Sequence, residues 1–217
     1  TQGQIFYVDI PTNRSPIPFY LIAFFMWLSN GNLYFVRLIV PLFNFLTALA
    51  IYLIGKENWN LNVGKIASVL YIIGFSMPLF EEIYLMTETF ELFFGTFAIY
   101  YYLEFKKSEK NIHLFSSGIF IGLSILSKQY GLLFFVVIFI YEAMLLLEKK
   151  SVESSLRFSK VIILVIVGLL IPLTTLIFFF IVTGYFNELW DSYFVATASQ
   201  AGSLIRFPNL PRFLQVV

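Results

Sequence analysis

The sequence predicts an all-α polytopic membrane bundle, and three observations carry that prediction. Hydrophobic residues fill 59% of the 217 positions, while charged residues fill only 12%, about half of the roughly 25% usual in soluble domains. The mean hydropathy is +0.83, more apolar surface than a soluble fold can hide. The apolar residues are gathered into seven stretches, and most of the Lys and Arg lie in three connections between them.

Ile17–Leu28 is the first stretch. A span needs about 20 apolar residues, with a range of about 17–25, and this stretch is too short. It follows Pro16 and Pro18 and ends at the turn signal Ser29-Asn30-Gly31. It is expected to lie at the interface, near residues 17–29, or to be re-entrant. Leu33–Ile54 and Val161–Val182 are long enough to cross. Ile66–Phe80, Thr89–Leu103, Leu114–Ser127 and Gly131–Leu147 complete the set, and the short ones among them are expected to extend into their flanks. About six spanning helices therefore follow, with residues 33–183 as the bundle. Residues 1–32 form a loop and interfacial helix, and residues 184–217 a Tyr- and Trp-bearing interfacial segment. The whole is one transmembrane domain. Residue 1 is Thr, and no charged segment precedes a cleavable apolar stretch, so the chain is taken as a fragment of a longer protein.

Topology follows from the basic residues. Lys56 and Lys65 lie in one connection, Lys106, Lys107 and Lys110 in the next, and Lys149, Lys150, Arg157 and Lys160 in a third. These nine of the fourteen basic residues share one parity along the chain, which assigns their side to the cytoplasm. Phe80–Glu88, the tight Lys128–Tyr130 connection and the tail after Thr183 then face outward.

That outward side carries acids. Glu81, Tyr84, Glu88 and Glu91 fall at i, i+3, i+7 and i+10 and share one helical face, with Glu82 beside them. Acids beside hydrocarbon are costly, so the stripe either lines an outward-opening polar cavity or marks a solvated loop. Glu91 lies deepest. Arg37 and Asn44 are seven apart inside the second stretch. Arg37 near the helix start suits snorkelling to the interface, and it also qualifies as a cavity-lining cation. Lys128-Gln129-Tyr130 places a lone Lys on the outward side, where it serves either as an interface-anchoring Lys–Tyr pair or as a holder of phosphate or carboxylate.

The composition excludes several classes. A net charge of +1 gives no basic excess for nucleic acid. With no Cys there is no disulfide, thiolate zinc site or thiol nucleophile. His113, the only His, begins a span beside the basic connection, which argues against a His-based metal site outside. No glycine-rich phosphate loop, GxSxG or HExxH is present.

The segment Gly3-Gln4-Ile5-Phe6-Tyr7-Val8-Asp9-Ile10-Pro11-Thr12-Asn13-Arg14-Ser15-Pro16-Ile17-Pro18 resembles the first outer loop of a known family. In polyprenyl-phosphate-dependent glycosyltransferases of the protein mannosyltransferase and aminoarabinose transferase type, that loop runs G…Y-x-D…(K/R)-P-P-(L/I). Here Arg14 takes the basic position and Ser15-Pro16 replaces Pro-Pro. In order there follow Asn30-Gly31, Val36-Arg37-Leu38-Ile39-Val40-Pro41 for the start of a long helix, and Leu85-Met86-Thr87-Glu88 for the L-x-T-E motif. Gly122-Leu123-Ser124-Ile125-Leu126-Ser127-Lys128-Gln129 stands for the family's GLAxLxKq turn. Each motif is weak alone; their order and spacing over residues 3–147 are specific together.

The resemblance implies a GT-C membrane glycosyltransferase that moves a sugar from a polyprenyl-phosphate donor to a protein, lipid or glycan acceptor on the outer face of the membrane; the richness in Lys, Ile, Asn and Phe, a matter of composition alone, points to a prokaryotic plasma membrane. It implies Glu88 and Asp9 as the catalytic acids, and Arg14 and Lys128 as ligands of the lipid phosphate. Glu81, Tyr84, Glu91 and Arg37 would line the cavity. The family's principal acid sits on a helix upstream of residue 1, so its main catalytic base is not expected within this chain. Some relatives bind a divalent cation through an acid just before the basic residue; Asn13 stands there, and no metal ligand is assigned. Two other readings stay open: a transporter whose acidic stripe binds a cation, and a non-catalytic membrane scaffold. Transporters commonly show internal repeats, and none is seen here.

Overall fold

The structure, a computed structural model, describes residues 7–9, 12, 14–75, 87–149 and 151–195. These residues contain helices and turns and no strand. The helices are α1 (Pro16–Leu28), α2 (Leu33–Asn58), α3 (Leu61–Phe75), α4 (Thr87–Ser108), α5 (Asn111–Ser127), α6 (Leu132–Lys149), α7 (Val152–Val182) and the short α8 (Phe186–Leu189). Each of the seven apolar stretches is helical over its described residues. At 13 residues, α1 rises only about 20 Å, against a hydrocarbon core of about 30 Å.

Three helices are long and apolar enough to cross a membrane: Leu33–Asn58, Gln129–Lys149 and Val152–Val182. With 22 residues α4 has the length of a span, and it carries Glu88 at one end and Lys106 and Lys107 at the other. The helices α3 and α5 are apolar but shorter. The protein is thus an all-α membrane bundle. Leu38, Phe45, Ile66, Leu133, Ile163 and Phe178 are exposed; water would not tolerate so broad an apolar surface, and lipid solvates it.

The helix boundaries have local causes. At the end of α1, Gly31 N–H bonds to Met26 C=O and Asn30 N–H to Trp27 C=O. Asn30 takes φ 51°, and this pairing is a Schellman stop with Asn in the left-handed position. Asn32 then starts α2, its side-chain oxygen accepting from Tyr34 N–H at 2.9 Å. The end of α7 repeats the motif with Gly184 at φ 80°, where Tyr185 N–H bonds to Phe180 C=O. The start of α7 lies nine residues before the predicted Val161. Ser151 caps it by accepting from Ser154 N–H at 3.1 Å, and Ser154 returns a bond to Ser151 N–H at 3.1 Å. This reciprocal cap carries the helix through polar residues that hydropathy alone assigns to a loop.

Contacts divide the chain into two compact units. Ser15–Leu176 forms one; Thr1–Arg14 with Ile177–Val217 forms the other. Within the larger unit, α4 packs along α5 and also touches α2 and α6, and α2 with α3 forms a hairpin. Lipid gives helices no hydrophobic drive to associate, so close approach through small residues matters more. A Cβ on Gly55 would lie 2.6 Å from Gly64 Cα, so the α2–α3 hairpin closes on a glycine pair. A Cβ on Gly118 of α5 would lie 2.9 Å from Gly168 Cα of α7. The same helix turns Ser117 and Ser124 toward α4, where they donate to Ala98 C=O at 2.8 Å and Glu91 C=O at 2.9 Å.

Two cores result. Phe43 of α2 meets Phe90 and Phe93 of α4 at ring distances of 5.0 and 4.6 Å, with Ile17, Leu21 and Phe25 of α1 packed against them. Ala98, Tyr102, Leu114, Ile121, Ile138 and Val165 form the other. In the smaller unit, the buried Tyr7 ring stands 5.9 Å from Phe180 and 6.3 Å from Tyr193.

The basic connections come together at one end of the larger unit. Lys107 at the end of α4 bonds Glu57 at the end of α2, and Lys106 donates to the Tyr141 hydroxyl of α6. The start of α4 and the α5–α6 turn lie at the other end.

Candidate functional site

At that other end, α4 begins with Thr87 and Glu88. Thr87 Oγ1 donates to Glu88 Oε2 at 3.1 Å. The end of α5 brings Lys128 to the same place. Its backbone is extended, with φ −162° and ψ 140°, and Lys128 N–H closes the helix on Ser124 C=O at 2.9 Å. The next three residues, Gln129–Gly131, form a single 3₁₀ turn into α6. A Cβ on Gly131 would lie 2.6 Å from Ser124 Oγ, so only glycine lets this turn close against α5.

This geometry aims Lys128 Nζ at Glu88 Oε1, and the two form an ion pair. The Lys128 ammonium also lies 5.4 Å from the Tyr130 ring centre, a favourable cation–π position. Lys128 thus lies beside the neighbouring Tyr130 ring and holds a carboxylate of the protein itself. Glu88 and Lys128 are partly exposed, at 37% and 28% of their side chains. An ammonium has three N–H donors, so Lys128 has donors beyond the one given to Glu88.

Glu91, one turn along α4, is 8% exposed, and its neighbours Thr89 and Phe90 are fully buried. The Ser124 hydroxyl bond to Glu91 C=O ties that turn of α4 to the helix that presents Lys128. Arg37 is exposed on α2, and it forms no ion pair among the described residues. Its helix mate Asn44 accepts from Tyr71 Oη of α3 at 3.2 Å. Glu81 and Tyr84 lie outside the described residues, as does Asn13.

Asp9 and Arg14 belong to the smaller unit. Both are exposed, and the Tyr7 hydroxyl donates to Arg14 C=O at 2.8 Å. Tyr7, at φ 72°, opens the turn that carries Asp9. No group of three or more metal-ligating side chains occurs among the described residues.

One polar network was not anticipated from the sequence. Glu142 of α6 is 2% exposed. It accepts a hydrogen bond from the Tyr102 hydroxyl of α4 and stands 3.8 Å from the Arg157 guanidinium of α7. The signal was present: a lone ionisable residue inside an apolar run.

The chemistry at the α4–α5 end is that of a carboxylate, an ammonium and a buried acid at the boundary of a polytopic helical bundle. The class of protein is an α-helical membrane protein with a cluster of ionisable groups at one end of its helices. Residues 13–178 match the family described as dolichyl-phosphate-mannose-protein mannosyltransferase, and the chain belongs to that family. It is a mannosyltransferase-like membrane glycosyltransferase. The matched region contains Arg14, Glu88 and Lys128 and begins after Asp9. No curated protein and no solved structure matches the chain.

Proposed function

We propose that the protein moves a sugar from a polyprenyl-phosphate donor to a hydroxyl or amine of a protein, lipid or glycan acceptor, as a GT-C enzyme working at the outer face of a prokaryotic plasma membrane. The observation that carries this reading is the Glu88–Lys128 pair, standing at the end of the bundle away from the basic connections. Lys and Arg favour the cytoplasmic side, which leaves this end to face outward. In this reading residues 1–32 and 184–217 also belong to the outer side, with residues 33–183 as the bundle of one membrane domain. Family membership favours transfer chemistry over the transporter and scaffold readings.

In the reaction, the acceptor nucleophile bonds to the anomeric carbon as the bond from that carbon to the phosphate oxygen breaks. Polyprenyl phosphate leaves with the electron pair, and the acceptor's proton passes to a base. The proposed work of Arg14 and Lys128 is to stabilise the leaving phosphate. Glu88 and Asp9 are the proposed carboxylates of the site, suited to accept a proton or to orient the acceptor. Glu91, Glu81, Tyr84 and Arg37 complete the proposed cavity wall.

The test is transfer of labelled sugar from a polyprenyl-phosphate donor by the protein in membranes. Arg14→Ala and Glu88→Gln are compared with the parent at equal protein level. Loss of transfer in both variants supports the assignment. Undiminished transfer in both removes these residues from the site.

A further inference from the structure

The opposite, basic end of the bundle holds a cavity of about 320 Å³ between α4, α6 and α7. Four cations line it: Lys106, Lys149, Arg157 and Lys160. Glu142, buried at its wall, is held by the Tyr102 hydroxyl and faces Arg157 at 3.8 Å. Glu109 and Glu153 stand on the lining as well, so the positive charges exceed the negative by one.

The cations are unevenly satisfied. Lys106 is engaged by Tyr141, through its hydroxyl and through a ring 4.3 Å away. Arg157 Nε is enclosed and has no hydrogen-bond partner among the described residues, an expensive state for a charged donor. Among the described residues, neither Lys149 nor Lys160 has a carboxylate within 4.0 Å. Two ammonium groups without a carboxylate partner, Lys160 resting 5.9 Å from the Phe105 ring, and an unfilled guanidinium donor around a polar cavity ask for an oxyanion.

The neighbouring space says which oxyanion. Lys106 also borders a second cavity of about 300 Å³, lined by Trp59, Ile99, Leu103, Val137 and Ile138 among others. A polar cationic pocket and an apolar groove thus share one lysine at their rim. Free phosphate has no use for the groove. An amphiphile with a phosphate head and a hydrocarbon chain fills both, and basic pockets between helices are suited to such headgroups.

We propose that the basic end of the bundle binds an anionic phospholipid, its phosphate among Lys149, Lys160 and Arg157 and its proximal chain in the groove beside Trp59. This site lies at the other end of α4 from Glu88 and does not depend on the proposed transfer reaction.

The test uses the full chain in phosphatidylcholine nanodiscs, with Trp27→Phe and Trp190→Phe so that Trp59 is the sole tryptophan, excited selectively over tyrosine. Phosphatidic acid with brominated chains is titrated against brominated phosphatidylcholine. Phosphatidic acid is expected to quench Trp59 at a lower mole fraction. Lys149→Gln and Lys160→Gln are each expected to weaken this about fivefold, the change equivalent to about 1 kcal/mol per basic side chain at an anionic surface. Unaltered thermal unfolding of both variants confirms that they fold. Equal quenching by the two lipids, or equal affinity of parent and variants, overturns the proposal. Relief of quenching by millimolar inorganic phosphate moves the site to a soluble phosphate and overturns the lipid assignment.

Discussion

Glu88 and Lys128 give the sharpest quantitative prediction. Their coupling is measured by a double-mutant cycle of Glu88→Gln, Lys128→Met and the pair together. At about 4 Å and an effective dielectric of about 20, two unit charges attract by about 4 kcal/mol. Side-chain exposures of 37% and 28% let solvent screen much of this. Fully exposed pairs retain only about 0.2–1 kcal/mol, so this half-covered pair is expected to show a coupling of about 1–2 kcal/mol. The assay is thermal or denaturant unfolding in detergent, followed by tryptophan fluorescence. Each single variant should be destabilised, and the double variant by less than the sum of the two. The exchange Glu88→Lys with Lys128→Glu restores opposite charges in contact and should recover most of the stability. If the proposed transfer reaction uses Glu88 at that position, the exchange should not recover activity. Additive single losses, with no coupling beyond error, would refute the view that the pair fixes α4 against the α5–α6 turn.

Four further outcomes follow from packing and hydrogen bonds. Gly118→Leu drives a side chain into the backbone of α7, where a Cβ alone would lie 2.9 Å from Leu169 N, and should cost about 1–3 kcal/mol in unfolding measurements. Gly74→Ala, with nothing within 4 Å of its Cβ among the described residues, should be neutral or stabilising by up to about 1 kcal/mol. Asn32→Ala removes the acceptor for Tyr34 N–H and should lower stability by about 1 kcal/mol, read as a shift in the unfolding midpoint. Glu142→Leu strands the Tyr102 hydroxyl and should cost about 1–3 kcal/mol, part of which returns when Tyr102→Phe is added.

The apolar helices were legible because hydrocarbon demands apolar runs, and composition records that demand directly; of the six expected spans, three among the described residues have the length and hydropathy to cross. Boundaries were less legible where hydrogen bonding overrode hydropathy. The nine-residue lead of α7 rests on Ser151 and Ser154, two residues that hydropathy counts only as polar. The residue types at the α4–α5 end were also readable, since an acid or a lone lysine at a membrane boundary stands out. Their pairing was not. Forty residues separate Glu88 from Lys128, and no helical period links them; only the packing of α4 on α5 does.

That packing explains why the two ends of the bundle are one problem. The helix α4 presents Glu88 and Glu91 at its start, and Tyr102, Lys106 and Lys107 at its end. Between them, Ser117 and Ser124 of α5 bond to its backbone at Ala98 and Glu91, 2.8 and 2.9 Å away. Two turns of α5 separate these serines, so their spacing matches two turns of α4 and fixes one helix against the other without slippage. Rotating α4 by one residue would swing Glu88 away from Lys128 and Tyr102 away from Glu142 together. A serine pair seven apart in an apolar run is therefore a positional signal as informative as the charges themselves. It is the feature that converts a row of ionisable residues on α4 into two built polar clusters.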